Sequence, residues 1–314
     1  MTKESQGKPS LFWIVMSFLA VYIIWGSAYV CNKMLVSELP PFFLSGIRFV
    51  MASLIIFAIV LASGRRTALT PQRLINAVVA GFLFLTLGNG GLVYGLQFVD
   101  SSFAALMVAG EPLVVLLLLF GLRGQPLSIK SLTGIALGII GIYLLIGQEG
   151  LVMVPGSWKG LVAIAISMLA WGYASIFVGT ADLPKNHFLN TGIQMLSGGL
   201  LLLLISVTTE HHMHSPLEIS PRAWGALAYL IVFASILAFT AFNYLLEHVS
   251  PEKVSTSNYV NPVVAMILGW WLLGEQLTTQ SGIAAAFLLV GVYFVNSSKK
   301  SKKAIQMAAP GVET

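Results

Sequence analysis

Apolar residues run along this chain in ten long stretches separated by short polar connections, at roughly 11–32, 41–62, 76–97, 101–121, 129–147, 158–179, 188–207, 222–246, 253–273 and 280–297. A helix crossing about 30 Å of hydrocarbon needs about 20 residues. The pattern therefore predicts an all-α polytopic membrane protein with ten transmembrane helices. No connection is long enough for a separate soluble domain. The longest, Thr208–Pro221, holds Glu210, Glu218 and three histidines, His211, His212 and His214. Those histidines read as a solvated polar loop rather than a metal site, and His187 reads as an interfacial residue. The first run follows Lys3 and Lys8 as a signal peptide would. It is longer than the 7–15 residues of a signal core and lacks a small-x-small cleavage site, so it reads as an uncleaved first span.

Two of these runs are broken at matching places. Glu111-Pro112 interrupts the fourth, and Asn261-Pro262 interrupts the ninth. A proline removes the helical hydrogen bond to the residue four places back. A carboxylate in mid-bilayer costs roughly 2.5–3.5 kcal/mol on insertion scales, so acids there are rare. Further pairs repeat at or near the 150-residue spacing of those breaks: Tyr94 with Tyr244 and Gly141-x-Tyr143 with Gly291-x-Tyr293 at 150, and Trp25-Gly26 with Trp171-Gly172 at 146. The chain thus reads as two five-helix units, 11–147 and 158–297, followed by a basic tail, 298–314. Five is odd, so the second unit enters the membrane from the opposite side. Inverted repeats of this kind recur in transporters, with the site near the midplane between the halves.

Composition agrees with a lipid solvent. The chain is 57% hydrophobic and 9% charged, with a mean hydropathy of +0.86, whereas soluble domains are about 25% charged. The net charge of +5 lies in scattered loop residues with no aromatic-interleaved patch, which excludes a nucleic-acid partner. With an inside N-terminus, thirteen of the 17 Lys and Arg fall in inside segments and three (Lys33, Lys159, Arg222) outside, leaving Arg48 within a span. That asymmetry places both termini in the cytoplasm. The single cysteine, Cys31, excludes an internal disulfide and reads as packing.

At this point the chain resembles the drug/metabolite transporter superfamily, in its ten-span form with two EamA-type repeats. The resemblance rests on Ile24-Trp25-Gly26-Ser27, Gly46-x-Arg48-Phe49, Glu111-Pro112, Ser250-Pro251 with Asn261-Pro262, and Gly274-Glu275, and covers roughly residues 12–297. It implies a multi-pass exporter in the bacterial inner (plasma) membrane, carrying amino acids, amphipathic metabolites or drugs and presumed proton-linked.

Several residues are candidates for the chemistry. Glu111, near the midplane, is either a titratable or cation-anchoring group in a central cavity, or an acid tying down main-chain groups freed by Pro112. Arg48 cannot be neutralised at ordinary pH. It therefore pairs with Glu111, meets substrate, or anchors to headgroups and carbonyls. Asn258 and Asn261, three apart, share one face of the ninth span with Ser257. They either line a polar wall or bond between helices. Asn89, among Gly88, Gly90 and Gly91, is a further wall candidate, as are Trp25, Trp171, Tyr94, Tyr244 and Tyr259. Gly134 and Gly138 have the small-xxx-small spacing of close helix packing.

The residues predict a secondary transporter working by alternating access, with a small-molecule substrate, no cofactor, no metal, and a monomeric or loosely homodimeric state. No P-loop is present for direct ATP drive. A passive facilitator or a non-transporting receptor remains as an alternative. An intramembrane enzyme needs more converging titratable groups than the lone mid-span acid.

Overall fold

Turn chemistry sets where each apolar run starts and stops in the computed structural model, which describes residues 11–63, 69–124, 126–147, 155–210, 219–249, 254 and 257–297. Expectations for the N-terminal lysines, the loop histidines, Ser250-Pro251 and the 298–314 tail fall outside the described residues. The described helices are α1 (Leu11–Leu35), α2 (Pro41–Ala62), α3 (Pro71–Gly95), α4 (Ser101–Arg123), α5 (Ile129–Ile146), α6 (Ser157–Val178) and α7 (His187–Thr209). They continue with α8 (221–248), α9 (257–273) and α10 (Thr279–Asn296). No strand occurs among the described residues. Eight of the described helices are long and apolar enough to cross a membrane, and the segments Tyr259–Leu273 and Thr279–Val295 are shorter apolar helices.

Helix α3 begins five residues before the apolar run, because Thr70 accepts the main-chain N–H of Arg73 as an N-cap and Pro71 takes the first turn. Helix α8 starts the same way, with Ser220 capping Ala223 ahead of Pro221. Helices α5 and α10 start on matching caps, Ser128 to Ser131 and Thr278 to Ser281. The preceding helices α4 and α9 both stop at a left-handed glycine, Gly124 (φ 60°) and Gly274 (φ 68°). The repeat is thus written in the turns as well as in the spans.

The proline breaks are not equivalent. Helix α4 is interrupted at Gly110, where Ser101–Ala109 gives way to Glu111–Arg123 with Pro112 in the new first turn. There the missing N–H costs nothing. In α9 the segment Ser257–Leu268 is helical throughout, with Pro262 inside it. The difference lies in the preceding residues. Gly110 lets the chain turn out of the helix, while Val260 and Asn261 hold helical geometry and Pro262 removes only one ladder bond.

The main packing pairs of the two halves map onto one another when the halves are exchanged, although α4 also packs on α1 and α10. α2 lies along α7 and α5 along α10. α1 packs on α9 as α6 packs on α4, and α8 on α1 as α3 on α6. This is the signature of a pseudo-twofold axis. The α5–α10 seam is close because glycines face each other: a Cβ on Gly134 would lie 2.6 Å from the Gly291 oxygen. Outward-facing Leu54, Ile139, Leu204 and Val290 are exposed apolar side chains, as a lipid-facing surface requires.

Candidate functional site

Helices α3 and α8 each contain a π-helical stretch at repeat-related positions, Phe82–Asn89 and Leu230–Ala238. Widened turns of this kind leave carbonyls without their usual helical donors and are frequent at functional sites. Here the freed acceptors are answered from the partner helices. Ser167 of α6 donates its hydroxyl to the Gly88 oxygen, and Trp25 of α1 donates its indole N–H to the Ala234 oxygen at 3.3 Å. Gly88 also lets Trp171 approach, since a Cβ there would lie 3.1 Å from the indole ring.

Between these bulges and α4 and α9 lies a cavity of about 320 Å³. Its aromatic wall includes Trp25, Trp171, Tyr29, Phe239 and Phe242. Arg48, Glu111, Asn32, Asn89, Asn261 and Ser235 supply its polar groups. The lining continues through Val115, Leu116 and Leu119 of α4, Ser175 of α6 and Val295 of α10. Those residues lie in the second half of α4 and the last turns of α6 and α10, so the cavity reaches one end of the bundle.

Arg48 is only 5% exposed. Its Nε donates to Ser235 Oγ at 2.9 Å, an Nη donates to Asn32 Oδ1 at 3.2 Å, and its guanidinium lies 4.6 Å from the centre of the Phe49 ring. All of these acceptors are neutral. Among the described residues the salt bridge is Arg73 to Asp182 at 3.0 Å, so Arg48 and Glu111 form no direct pair. Both ionisable side chains nevertheless line one cavity. The Glu111 carboxyl makes no hydrogen bond among the described residues, although its main chain starts the second segment of α4. The Oδ1 atoms of Asn89 and Asn261 are buried with no hydrogen-bond partner among the described residues.

The cavity brings together most of the residues expected from sequence: Glu111, Pro112, Arg48, Asn261, Asn89, Trp25 and Trp171. Tyr94 and Tyr244 are not part of its lining. Tyr94 stacks on Phe42 at 5.5 Å, and Tyr244 lies over His248 at 4.2 Å. Pro262 is buried outside the lining, and the side chain of Asn258 falls outside the described residues. Sequence reasoning missed Asn32 and Ser235. A signal for Asn32 was available, because it lies two turns beyond Trp25 on α1 and so shares its face. For Ser235 there was none, since only the π-helical register of α8 turns it toward Arg48.

The EamA-like transporter family matches the chain twice, over residues 11–147 and 158–297. The chain is 34% identical over 301 residues to a protein of Escherichia coli (strain K12) named as the uncharacterized inner membrane transporter YedA, covering 95% of each. It is 26% identical over 286 residues to an S-adenosylmethionine/S-adenosylhomocysteine transporter of Chlamydia trachomatis, covering 88% of this chain and 87% of that one. A crystal structure with 18% sequence identity superposes with a TM-score of 0.65 over 91% of this chain and 96% of the other, which shows a shared fold.

Proposed function

The chain belongs to the EamA-like transporter family and is a multi-pass inner-membrane transporter, and from that premise we propose that it exports small amphipathic organic metabolites by alternating access. In this reading ten spans form two oppositely inserted halves, 11–147 and 158–297, with both termini and the 298–314 tail in the cytoplasm. The exchange-symmetric packing supports it, and so does the odd number of helices per half. The working unit is a monomer or a loose homodimer.

One observation carries the reading: a basic and an acidic side chain, Arg48 and Glu111, line one aromatic-walled cavity between the halves without pairing with each other. Arg48 keeps guanidinium donors beyond those used on Ser235 and Asn32 and suits a carboxylate on the substrate. Glu111 suits an ammonium or another cationic centre, and it exchanges a proton when no substrate is bound. Trp25 and Trp171 give the apolar part of the ligand flat surfaces. A relative named for S-adenosylmethionine handles a molecule with both an aromatic and a charged part.

The test is a screen followed by flux. Cells overexpressing the chain should lose particular metabolites to the medium and tolerate their toxic analogues. Purified protein in sealed vesicles should then show saturable uptake and trans-stimulation of those compounds. Non-saturating flux without trans-stimulation would instead make it a passive facilitator, and no flux of any hit would make it a receptor or scaffold.

A further inference from the structure

At the end of the bundle away from the cavity opening, glutamates of extramembrane segments reach across between the halves. Glu38, in the α1–α2 connection, accepts Ser220 N–H at 2.8 Å and Ser220 O–H at 2.7 Å at the start of α8. Glu210, after α7, accepts the N–H groups of Phe42 and Phe43 at 2.9 and 3.0 Å, at the start of α2. Glu275, after α9 and 7% exposed, accepts N–H and O–H from both Ser101 and Ser102 at 2.6–3.0 Å, at the start of α4. Each carboxylate thus joins one half to the N-terminus of a helix in the other, where the helix dipole and unpaired N–H groups favour an anion. Such charge-assisted bonds are roughly twice as strong as neutral ones. Beneath them Leu35, Leu44, Val93 and Leu96 are fully buried and fill the end of the bundle.

The pseudo-twofold exchanges the two ends of the molecule. Under it the Glu38–Ser220 contact falls on the contact between the α6–α7 connection and the start of α3. There the structure has the Arg73–Asp182 pair, with side chains 20% and 60% exposed. The counterpart of Glu275 by the 150-residue spacing, Gln125, lies outside the described residues. One end is therefore bolted by buried or half-buried carboxylates over a packed plug, and the repeat-related contact at the other end is solvent-washed.

We propose that Glu38, Glu210 and Glu275 are the gate residues of the transport cycle, and that breaking their clasps together opens this end of the cavity. The Lys and Arg distribution puts this end outside the cell. A cleft of about 330 Å³ at the same end, lined by Lys33, Glu38, Asp100, Arg222 and Glu275, gives water a route to the clasps. The inference rests on the transport reading for its purpose, yet its test needs no known substrate.

The test is sided labelling of the full-length protein. In a Cys31→Ala background, Val108→Cys places one thiol on the cavity wall. A membrane-impermeant maleimide is then offered to right-side-out and inside-out vesicles. The parent should label from the cytoplasmic side and resist label from the outside. Glu210→Gln with Glu275→Gln, which remove the charge from two and four hydrogen bonds, should raise outside labelling at least about tenfold, the factor that loss of a single charged hydrogen bond would give, and lower labelling from the inside. A merely structural role would not move the two sides in opposite directions. Equal labelling in parent and variants, or a rise from both sides together, would overturn the gate. None of these results bears on whether flux occurs, which the vesicle assay decides separately.

Discussion

Trp25 and Trp171 meet edge to face, with ring centroids 6.3 Å apart and planes at 90°. They are repeat mates, and two repeat-related side chains touch each other only where the axis relating the halves passes between them. The axis therefore runs through the cavity wall, which presents equivalent surfaces of both halves. An aromatic contact of this kind is worth about 0.5–1.5 kcal/mol beyond its area. Trp171→Ala should raise KM by up to about tenfold with kcat little changed. Trp25→Ala should do the same and also cost stability, because the Ala234 oxygen loses its donor. Transport kinetics set beside thermal unfolding in detergent separate the two effects.

Glu111 lines the cavity with its carboxyl unpartnered among the described residues, which is what the proposed role in substrate or proton binding requires. Glu111→Gln keeps shape and hydrogen-bonding capacity while removing titration. It should leave the amount of protein in the membrane unchanged, abolish gradient-driven accumulation, and preserve exchange of labelled for unlabelled substrate. Wild-type accumulation and pH profile in this variant would assign the residue to propping the helix break at Gly110.

Arg48 tests charge against geometry. Arg48→Lys retains the cation and loses the planar fork that reaches Ser235 and Asn32 together. Each hydrogen bond to a charged group is worth about 1.5–3 kcal/mol, so a lower unfolding temperature is expected. Carboxylate-bearing substrates should still bind, roughly tenfold more weakly. Arg48→Met should lose them altogether while binding compounds without a carboxylate near the parent level. Competition by substrate analogues against a labelled ligand measures both.

How much of this was legible in the chain depends on the length scale of the signal. The helices and the repeat could be read because lipid forces long apolar runs, and because Glu111-Pro112 and Asn261-Pro262 sit at one spacing. Most of the cavity followed, since polar residues in mid-span have few other places to go. The turn repeats Thr70-Pro71 with Ser220-Pro221 and Gly124 with Gly274 are present in the sequence too, but short polar turn signals are weak beside twenty-residue apolar runs. Pro262 misleads by type, because a proline breaks a helix only where its neighbours let the chain turn. Ser235 was beyond reach: its direction depends on a π-helical register that arises from packing against α1 and α2. The roles of Glu38 and Glu210 were hidden similarly, each acceptor being more than 160 residues from its donor.

The α5–α10 seam offers a packing test away from the site. A side chain on Gly134 would collide with main chain, the Gly291 oxygen and the Val295 nitrogen, so neither partner can swing aside. Gly134→Leu should cost about 1–3 kcal/mol or more, as overpacking does, and sharply lower the folded yield. Gly282→Leu, on the neighbouring helix with nothing within 4 Å of a new Cβ, should be nearly silent. Fluorescence-detected size exclusion after a heat step compares them directly.

Glu38 provides a pH test with a definite sign. The N–H and O–H of Ser220 hold its carboxyl below the usual carboxylate range, and Lys33, Asp100, Arg222 and Glu275 line the same cleft. A group whose value is lowered by its contact stabilises the state containing that contact above its ordinary titration, and the stabilisation is lost as the pH falls through the lowered value. Between about pH 5.5 and 8 the clasp is therefore fully formed, since a free glutamate titrates near 4.3. Outside labelling of the Val108→Cys protein, divided at each pH by the rate for a free thiol because only the thiolate reacts, should stay flat across that range and climb below about pH 4.5. Glu38→Gln should label faster at pH 7 and show a shallower climb in acid, because one of the protonatable clasps is already gone. An unchanged climb in Glu38→Gln would assign the acid response to the other carboxylates of the cleft.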